Sequence, residues 1–228
     1  MASEAAGALP TPPDALLFDL DGTIIDSRVP FTTSMNFALA AHGQPVREPE
    51  DLWRFLGPPT RVMLTELFGD DEALIEAVLD TYREHYGRTS TETTLVFDGM
   101  RELLTALHGR VPLAVATSKI ASSAVMLLEH LGLAGLFDVI SGPADTALAE
   151  PKAVTVAQAL AAVGELVGEP VRAAVMVGDR LYDVEGARAN GLPTVGVLWG
   201  AGSEAELQEA GAAAIVDAPH EIPPLLGL

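Results

Sequence analysis

Asp19-Leu20-Asp21-Gly22-Thr23-Ile24-Ile25-Asp26-Ser27 follows the apolar run Ala15-Leu16-Leu17-Phe18. A short apolar run that ends in acid reads as a buried strand whose C-terminal end opens into a loop. Residues two apart on a strand point the same way, so Asp19 and Asp21 are expected to leave it near one another. Gly22 lets the backbone turn and approach a ligand closely. Carboxylates that close repel, so they share a proton or a cation. Mg²⁺ suits the second role, being hard, oxygen-seeking and content with few protein ligands.

Outward from this stretch the pattern splits in two. From Val29 to about Arg88 it is helical, with Phe31, Met35, Phe37 and Leu39 in one stretch. Leu64, Leu67 and Phe68 fall in a second, and Leu74, Ile75, Val78, Leu79 and Tyr82 in a third. Gly57-Pro58-Pro59 punctuates the region. After Asp98-Gly99, strands and helices alternate. Strands are expected at 112–116, 137–140, 173–177, 193–198 and 214–216, with helices at 122–131, 153–163, 183–190 and 204–210. Alternation of this kind builds a parallel sheet with helices on both faces, a Rossmann-like α/β fold. The division expected is a loose tail over 1–13, an α/β core from 14–27 and 97–228, and a small helical cap inserted over 28–96.

The 228 residues carry 13 Lys and Arg against 32 Asp and Glu, a net charge of −19. That disfavours nucleic acid and anionic membranes as partners. No apolar run is long enough to span a bilayer, and the opening residues lack the features of a secretion signal. A cytoplasmic location is therefore expected. Cysteine is absent, which excludes disulfides and thiolate metal sites.

Ligands of an open parallel sheet bind beyond the carboxyl ends of its strands. The first strand ends in Asp19 and Asp21, and the second in Thr117-Ser118-Lys119. The strand at 173–177 ends in Gly178-Asp179-Arg180-Leu181-Tyr182-Asp183. Lys152 lies just ahead of the helix after the third strand. Four segments thus bring carboxylates, hydroxyls and a cation to one rim.

In this order the constellation resembles the haloacid dehalogenase superfamily, and specifically its phosphatase branch. The stretches Gly57-Pro58-Pro59, Ala116-Thr117-Ser118-Lys119 and Gly200-Ala201-Gly202-Ser203 look like its phosphoglycolate phosphatase-like subgroup. The resemblance implies Asp19 as nucleophile and Asp21 as general acid and base. It implies Thr117 and Lys152 as partners of the phosphoryl group and of the charge on it. It implies Mg²⁺ on Asp19, on the backbone carbonyl of Asp21 and on Asp179, with Asp183 orienting that shell. Lys152 is followed by Ala153 where many relatives have Pro, so Lys119 stands as a second candidate for the site lysine. Ile120 also stands where relatives often have Pro.

The cap is expected to act as a lid. Arg61 is its candidate contact to a substrate anion, beside Ser118 from the core. Tyr82, Arg83 and Tyr86 are expected to serve the cap's own packing. The expected activity is a Mg²⁺-dependent phosphomonoester hydrolase acting on a small metabolite through an aspartyl-phosphate, in a monomer or homodimer. Phosphoglycolate, a nucleoside monophosphate or a sugar phosphate would each suit. Two alternatives remain open: a phosphosugar mutase of β-phosphoglucomutase type, and a non-catalytic binding protein.

Overall fold

The computed structural model describes residues 8–144 and 150–228. Strand β1, Ala15–Phe18, is buried along its whole length. It sits inside a six-stranded sheet with β4 (Leu113–Ala116), β5 (Val139–Ser141), β6 (Ala174–Gly178), β7 (Thr194–Val197) and β8 (Ala214–Val216). The spatial order is β5-β4-β1-β6-β7-β8, and every pairing is parallel. Leu17 lies opposite Ala114 on one side and Met176 on the other. Covered on both faces and both edges, β1 needs apolar residues at every position, which is why it shows no alternation.

Crossover helices cover the sheet: α6 (Ala121–His130), α7 (Lys152–Val167), α8 (Leu181–Ala189) and α9 (Glu204–Ala210). One face carries Leu16, Phe18, Val115 and Val177. The other is made of smaller residues, Ala15, Ala114, Ala116, Ala159 and Ala187, around Leu17, Val156 and Met176. Small side chains let α7 and α8 approach the sheet and each other closely.

Between β1 and β4 lie α1 (Arg28–Ala41), α2 (Pro49–Trp53), α3 (Thr60–Phe68), α4 (Glu72–Thr93) and α5 (Met100–Leu107). Helices α1 and α4 pack lengthwise. Phe31, Met35 and Leu39 are buried on α1 and Ile75, Val78, Leu79 and Tyr82 on α4, with the Phe31 and Tyr82 rings edge to face at 5.9 Å. Phe37 is the exception in its stretch. Two positions from Met35 it falls off the buried face, remains 51% exposed and stacks on His85. Two short strands, β2 (Ile25–Asp26) and β3 (Leu95–Val96), pair antiparallel where this helical segment leaves and rejoins the sheet.

The tail expected over 1–13 is described from residue 8. Leu9 packs against the core and Pro13 is buried, so this part is docked. Residues 1–7 lie outside the described residues. Strand β5 starts later than expected because Asp138 does other work: its carboxylate accepts the Leu113 N–H at 2.9 Å. Helix α7 starts at Lys152 itself and runs to Val167, longer than the periodicity predicts. Leu17→Ala would open a void in the face already built from small side chains. It should cost about 2–5 kcal/mol, read as a lower urea midpoint at unchanged slope.

Candidate active site

The strand-end loops converge on one rim, as the topology requires. Asp19 extends the β1 ladder by one bond, its N–H donating to the Val177 carbonyl at 2.9 Å. The chain then turns tightly: the Leu20 carbonyl accepts from the N–H groups of both Ile24 and Ile25. Asp19 is 2% exposed.

Of the two candidate lysines, Lys152 is the one that reaches Asp19. As the first residue of α7, it places Nζ 2.7 Å from Asp19 Oδ1 and 2.7 Å from Asp183 Oδ1. Its stem fits because Gly186 on α8 faces it; a Cβ there would come within 2.8 Å of Lys152 Cγ. Burial opposes the ammonium, but the carboxylates of Asp183 and Asp19 outweigh it and raise its pKa. Lys152 therefore carries its charge.

Asp179 directly follows β6, and Asp183 sits in the first turn of α8. Asp179 Oδ1 accepts from Thr23 Oγ1 at 3.2 Å, and Oδ2 accepts the Ala201 N–H at 2.7 Å. Asp183 Oδ2 accepts the Arg180 N–H at 3.0 Å, satisfying a backbone donor at the start of α8. Oxygens of Asp19, Asp179 and Asp183 lie within 4.8 Å of one another. Burial, then the Asp183 and Asp19 charges, pushes Asp179 from 3.8 up to about 8. Burial pushes Asp19 up to about 7, with Lys152 opposing and Asp183 adding. Three carboxylates and one ammonium sum to −2 when ionised. An all-oxygen donor set with that deficit fits one divalent hard cation.

Asp21 faces a different partner. Its Oδ2 is 3.1 Å from Lys119 Nζ, and its side chain lines a cavity of about 320 Å³ between the sheet and the helical segment. The two acids of the loop thus do not share a cation through their side chains; each has its own lysine. Burial pulls the Lys119 ammonium down, but Asp21, Tyr86 and Tyr82 outweigh it and raise its pKa. Thr117 is 1% exposed, and its Oγ1 accepts the Lys119 N–H at 3.1 Å. Ser118 lines the cavity with Lys119.

Arg61 also lines the cavity, yet its guanidinium is committed elsewhere. It pairs with Glu72 at 2.8 Å and with Glu76, both on α4. The charge expected for a substrate anion is neutralised within the helical segment. Tyr82 and Tyr86 pack in the core as expected, but they form the cavity wall as well. Arg83 lines the same wall, 3.9 Å from its nearest described carboxylate, Asp80.

Two contributors to the site carry no role in the sequence reading. The first is the loop after β7. Ala201 N–H binds Asp179, and Trp199 Nε1 donates to the Thr23 carbonyl at 2.9 Å. A Cβ at Gly200 would fall 2.3 Å from Asp179 Oδ2, so the close approach demands glycine. A signal for it exists in the sequence: Gly200-Ala201-Gly202 lies at the exit of β7, on the same rim as the other strand ends. The second is Arg180. Its guanidinium donates to the Arg54 carbonyl at 3.2 Å and to the Leu56 carbonyl, and it meets Glu206 at 2.8 Å. It joins the Asp179 loop to the Gly57 turn, a link with no sequence signature.

A family model described as haloacid dehalogenase-like hydrolase matches residues 16–197. Tyrosine-protein kinase PtkA from Mycobacterium tuberculosis is 39% identical over 83% of this chain. The chain spans 64% of the length of PtkA. A 5′-nucleotidase from Pseudomonas aeruginosa is 38% identical over 85% of the chain and 86% of its own length. A solved structure of a predicted phosphatase from Clostridium acetobutylicum superposes with a TM-score of 0.86. It is 35% identical and covers 96% of this chain and 100% of that one. The match runs from β1 through β7 and includes Asp19, Asp21, Thr117, Lys152, Asp179 and Asp183, and the chain belongs to the haloacid dehalogenase-like hydrolase family.

Proposed function

We propose that the protein is a Mg²⁺-dependent phosphomonoester hydrolase acting on a small phosphorylated metabolite through an aspartyl-phosphate. The observation that carries this is the separation of the two loop acids. Asp19 is buried on Lys152 beside Asp179 and Asp183, while Asp21 faces the cavity on Lys119. That division gives one carboxylate to the phosphorus and one to the leaving group.

In this mechanism an Asp19 oxygen attacks phosphorus in line, and the bond to the leaving oxygen breaks. Asp21 gives its proton to that oxygen. Asp21 then takes a proton from water as the water attacks the acyl phosphate and frees Asp19. Lys152 balances charge on the nucleophile, and Thr117 and Ser118 hydrogen-bond the phosphoryl oxygens. The Asp19 carboxylate, the Asp21 backbone carbonyl and Asp179 would hold the Mg²⁺, with Asp183 fixed by Arg180 N–H and Lys152 to orient the set. Bound there, the ion neutralises charge on the transferring group.

The helical segment 28–96 serves as the cap. The cavity beneath it supports a ring-bearing leaving group. Phe31, Phe55, Tyr82 and Tyr86 form much of its wall, and its volume sits at the low end of the roughly 300–1,000 Å³ typical of small-molecule sites. A two-carbon acid such as glycolate would leave most of that space to water, and Arg61 is not free to bind its carboxylate. The relatives named for tyrosine and for a 5′-nucleotide point the same way. The PtkA relation favours one second reading, transfer of the phosphoryl group to a hydroxyl in place of water. Among the described residues no helix is long and apolar enough to cross a membrane.

Phosphate release from a metabolite panel, with Mg²⁺ and with chelator, tests the proposal. Release should require the ion, and Asp19→Asn should lower it by several orders of magnitude. Undiminished release from that variant would end the reading. Within the panel, 5′-mononucleotides and aryl phosphates should exceed phosphoglycolate in kcat/KM by about tenfold or more, since buried apolar contact favours the larger group. Phosphate appearing on an added alcohol instead of in solution would move the assignment to transfer.

The raised acids give a further test. Asp19 and Asp179 sit above the ordinary carboxylate value of 3.8, so the folded chain keeps protons that the unfolded chain has lost. In chelator, stability should fall as pH climbs from about 4 to about 8. Added Mg²⁺ should remove much of that slope, because it binds the ionised form. A denaturation series at each pH measures both curves, and identical slopes would contradict the cation assignment.

A further inference from the structure

Asp21 lies two residues from Asp19, beside a cluster of carboxylates suited to a divalent cation. Its side chain could turn to that cluster or to the cavity. Lys119 stands on the cavity side, with Nζ 3.1 Å from Asp21 Oδ2. Asp21 Oδ1 is buried and has no hydrogen-bond partner among the described residues. One oxygen of the acid is therefore tethered on the cavity side, and the side chain keeps 13% of its surface exposed there.

Lys119 is itself held from two sides. Its backbone N–H donates to Thr117 Oγ1 at 3.1 Å, fixing the turn after β4. Its ammonium donates to the Tyr86 hydroxyl at 3.0 Å and lies 4.5 Å from the centre of the Tyr86 ring. Tyr86 belongs to α4 and is 4% exposed. The lysine thus touches the sheet, the acid and the helical segment at once. Its ammonium is already engaged by a carboxylate and a phenol, which leaves it poorly placed to anchor a substrate anion.

We propose that Lys119 is a positioning residue for departure of the leaving group. It holds the Asp21 carboxylate on the cavity side, and Tyr86 holds Lys119 in place while the helical segment is seated on the sheet. The proposal rests on the phosphomonoesterase reading. In the step it serves, the bond from phosphorus to the leaving oxygen breaks and its electron pair stays on that oxygen. The Asp21 proton goes to the same oxygen. Lys119 gives up no proton.

A leaving group that departs readily needs little help from an acid, whereas an alkoxide needs much. Damage to Lys119 should therefore depend on the leaving group. The test compares kcat/KM for p-nitrophenyl phosphate and for an alkyl phosphate ester in Lys119→Met, Lys119→Arg and Tyr86→Phe. This constant covers steps only up to departure of the leaving group, before the attack by water that both substrates share. Lys119→Met should lose about tenfold or more on the alkyl ester, a fraction of what a general acid contributes. It should change little on the aryl ester, which also reports that the variant is folded. Lys119→Arg should recover most of the loss, and Tyr86→Phe should lose a smaller factor on the alkyl ester alone.

Equal losses on both substrates would overturn the proposal, as would no loss at all. If Lys119→Met does not fold, Tyr86→Phe and Lys119→Arg carry the same comparison, and equal effects there overturn it too. Failure of the wild-type protein to hydrolyse either ester would instead sink the phosphatase reading itself.

Discussion

The rim is organised by the mutual repulsion of three buried carboxylates. Asp19, Asp179 and Asp183 are each 1–2% exposed, and they come from two segments, the loop after β1 and the stretch that joins β6 to α8. Removing a charge from water costs several kcal/mol per ion even after relaxation, and one lysine cannot balance three acids. The surrounding loops answer this cost with directed donors. Thr23, Ala201 and Arg180 N–H each bind one carboxylate oxygen, and Lys152 bridges two more. The arrangement holds strain of the kind that a bound cation would relieve, as expected where stability is spent on function.

Parallel β topology is what makes such a gathering possible. Every strand of the sheet points its C-terminal end to the same side, so acids far apart in sequence become neighbours without long excursions. The small-residue face beneath α7 and α8 then decides how deep Lys152 can reach. Packing density and site chemistry are here the same question. A bulkier α8 would not lower the charge on Lys152 but would move it off the two oxygens it bridges.

Much of this was legible in the residues. Unbroken apolar runs such as Ala15–Phe18 and Ala174–Gly178 announce strands buried on both faces, and acids at their ends announce the rim. Asp19, Lys152, Asp179 and Asp183 meet as their order along the chain implies. Side-chain commitments were not legible. Arg61 looks free in sequence, but Glu72 and Glu76 lie one helix away, and nothing local to Arg61 signals that. Tyr86 reads as a packing residue because an aromatic at helical spacing carries no mark of the lysine that it meets from another element. The strands β2 and β3 are two residues each, too short for any period to show.

Short as they are, β2 and β3 form a single doorway. Ile25 pairs with Val96 and Asp26 with Leu95, so the chain departs and returns side by side. Everything between these two pairs can change in length or content while the two door-posts keep their spacing. A lineage, or an engineer, can exchange the whole roof of the chamber by cutting at two adjacent points, provided the new roof returns the contacts that Tyr86 and the Arg54 and Leu56 carbonyls give to the floor.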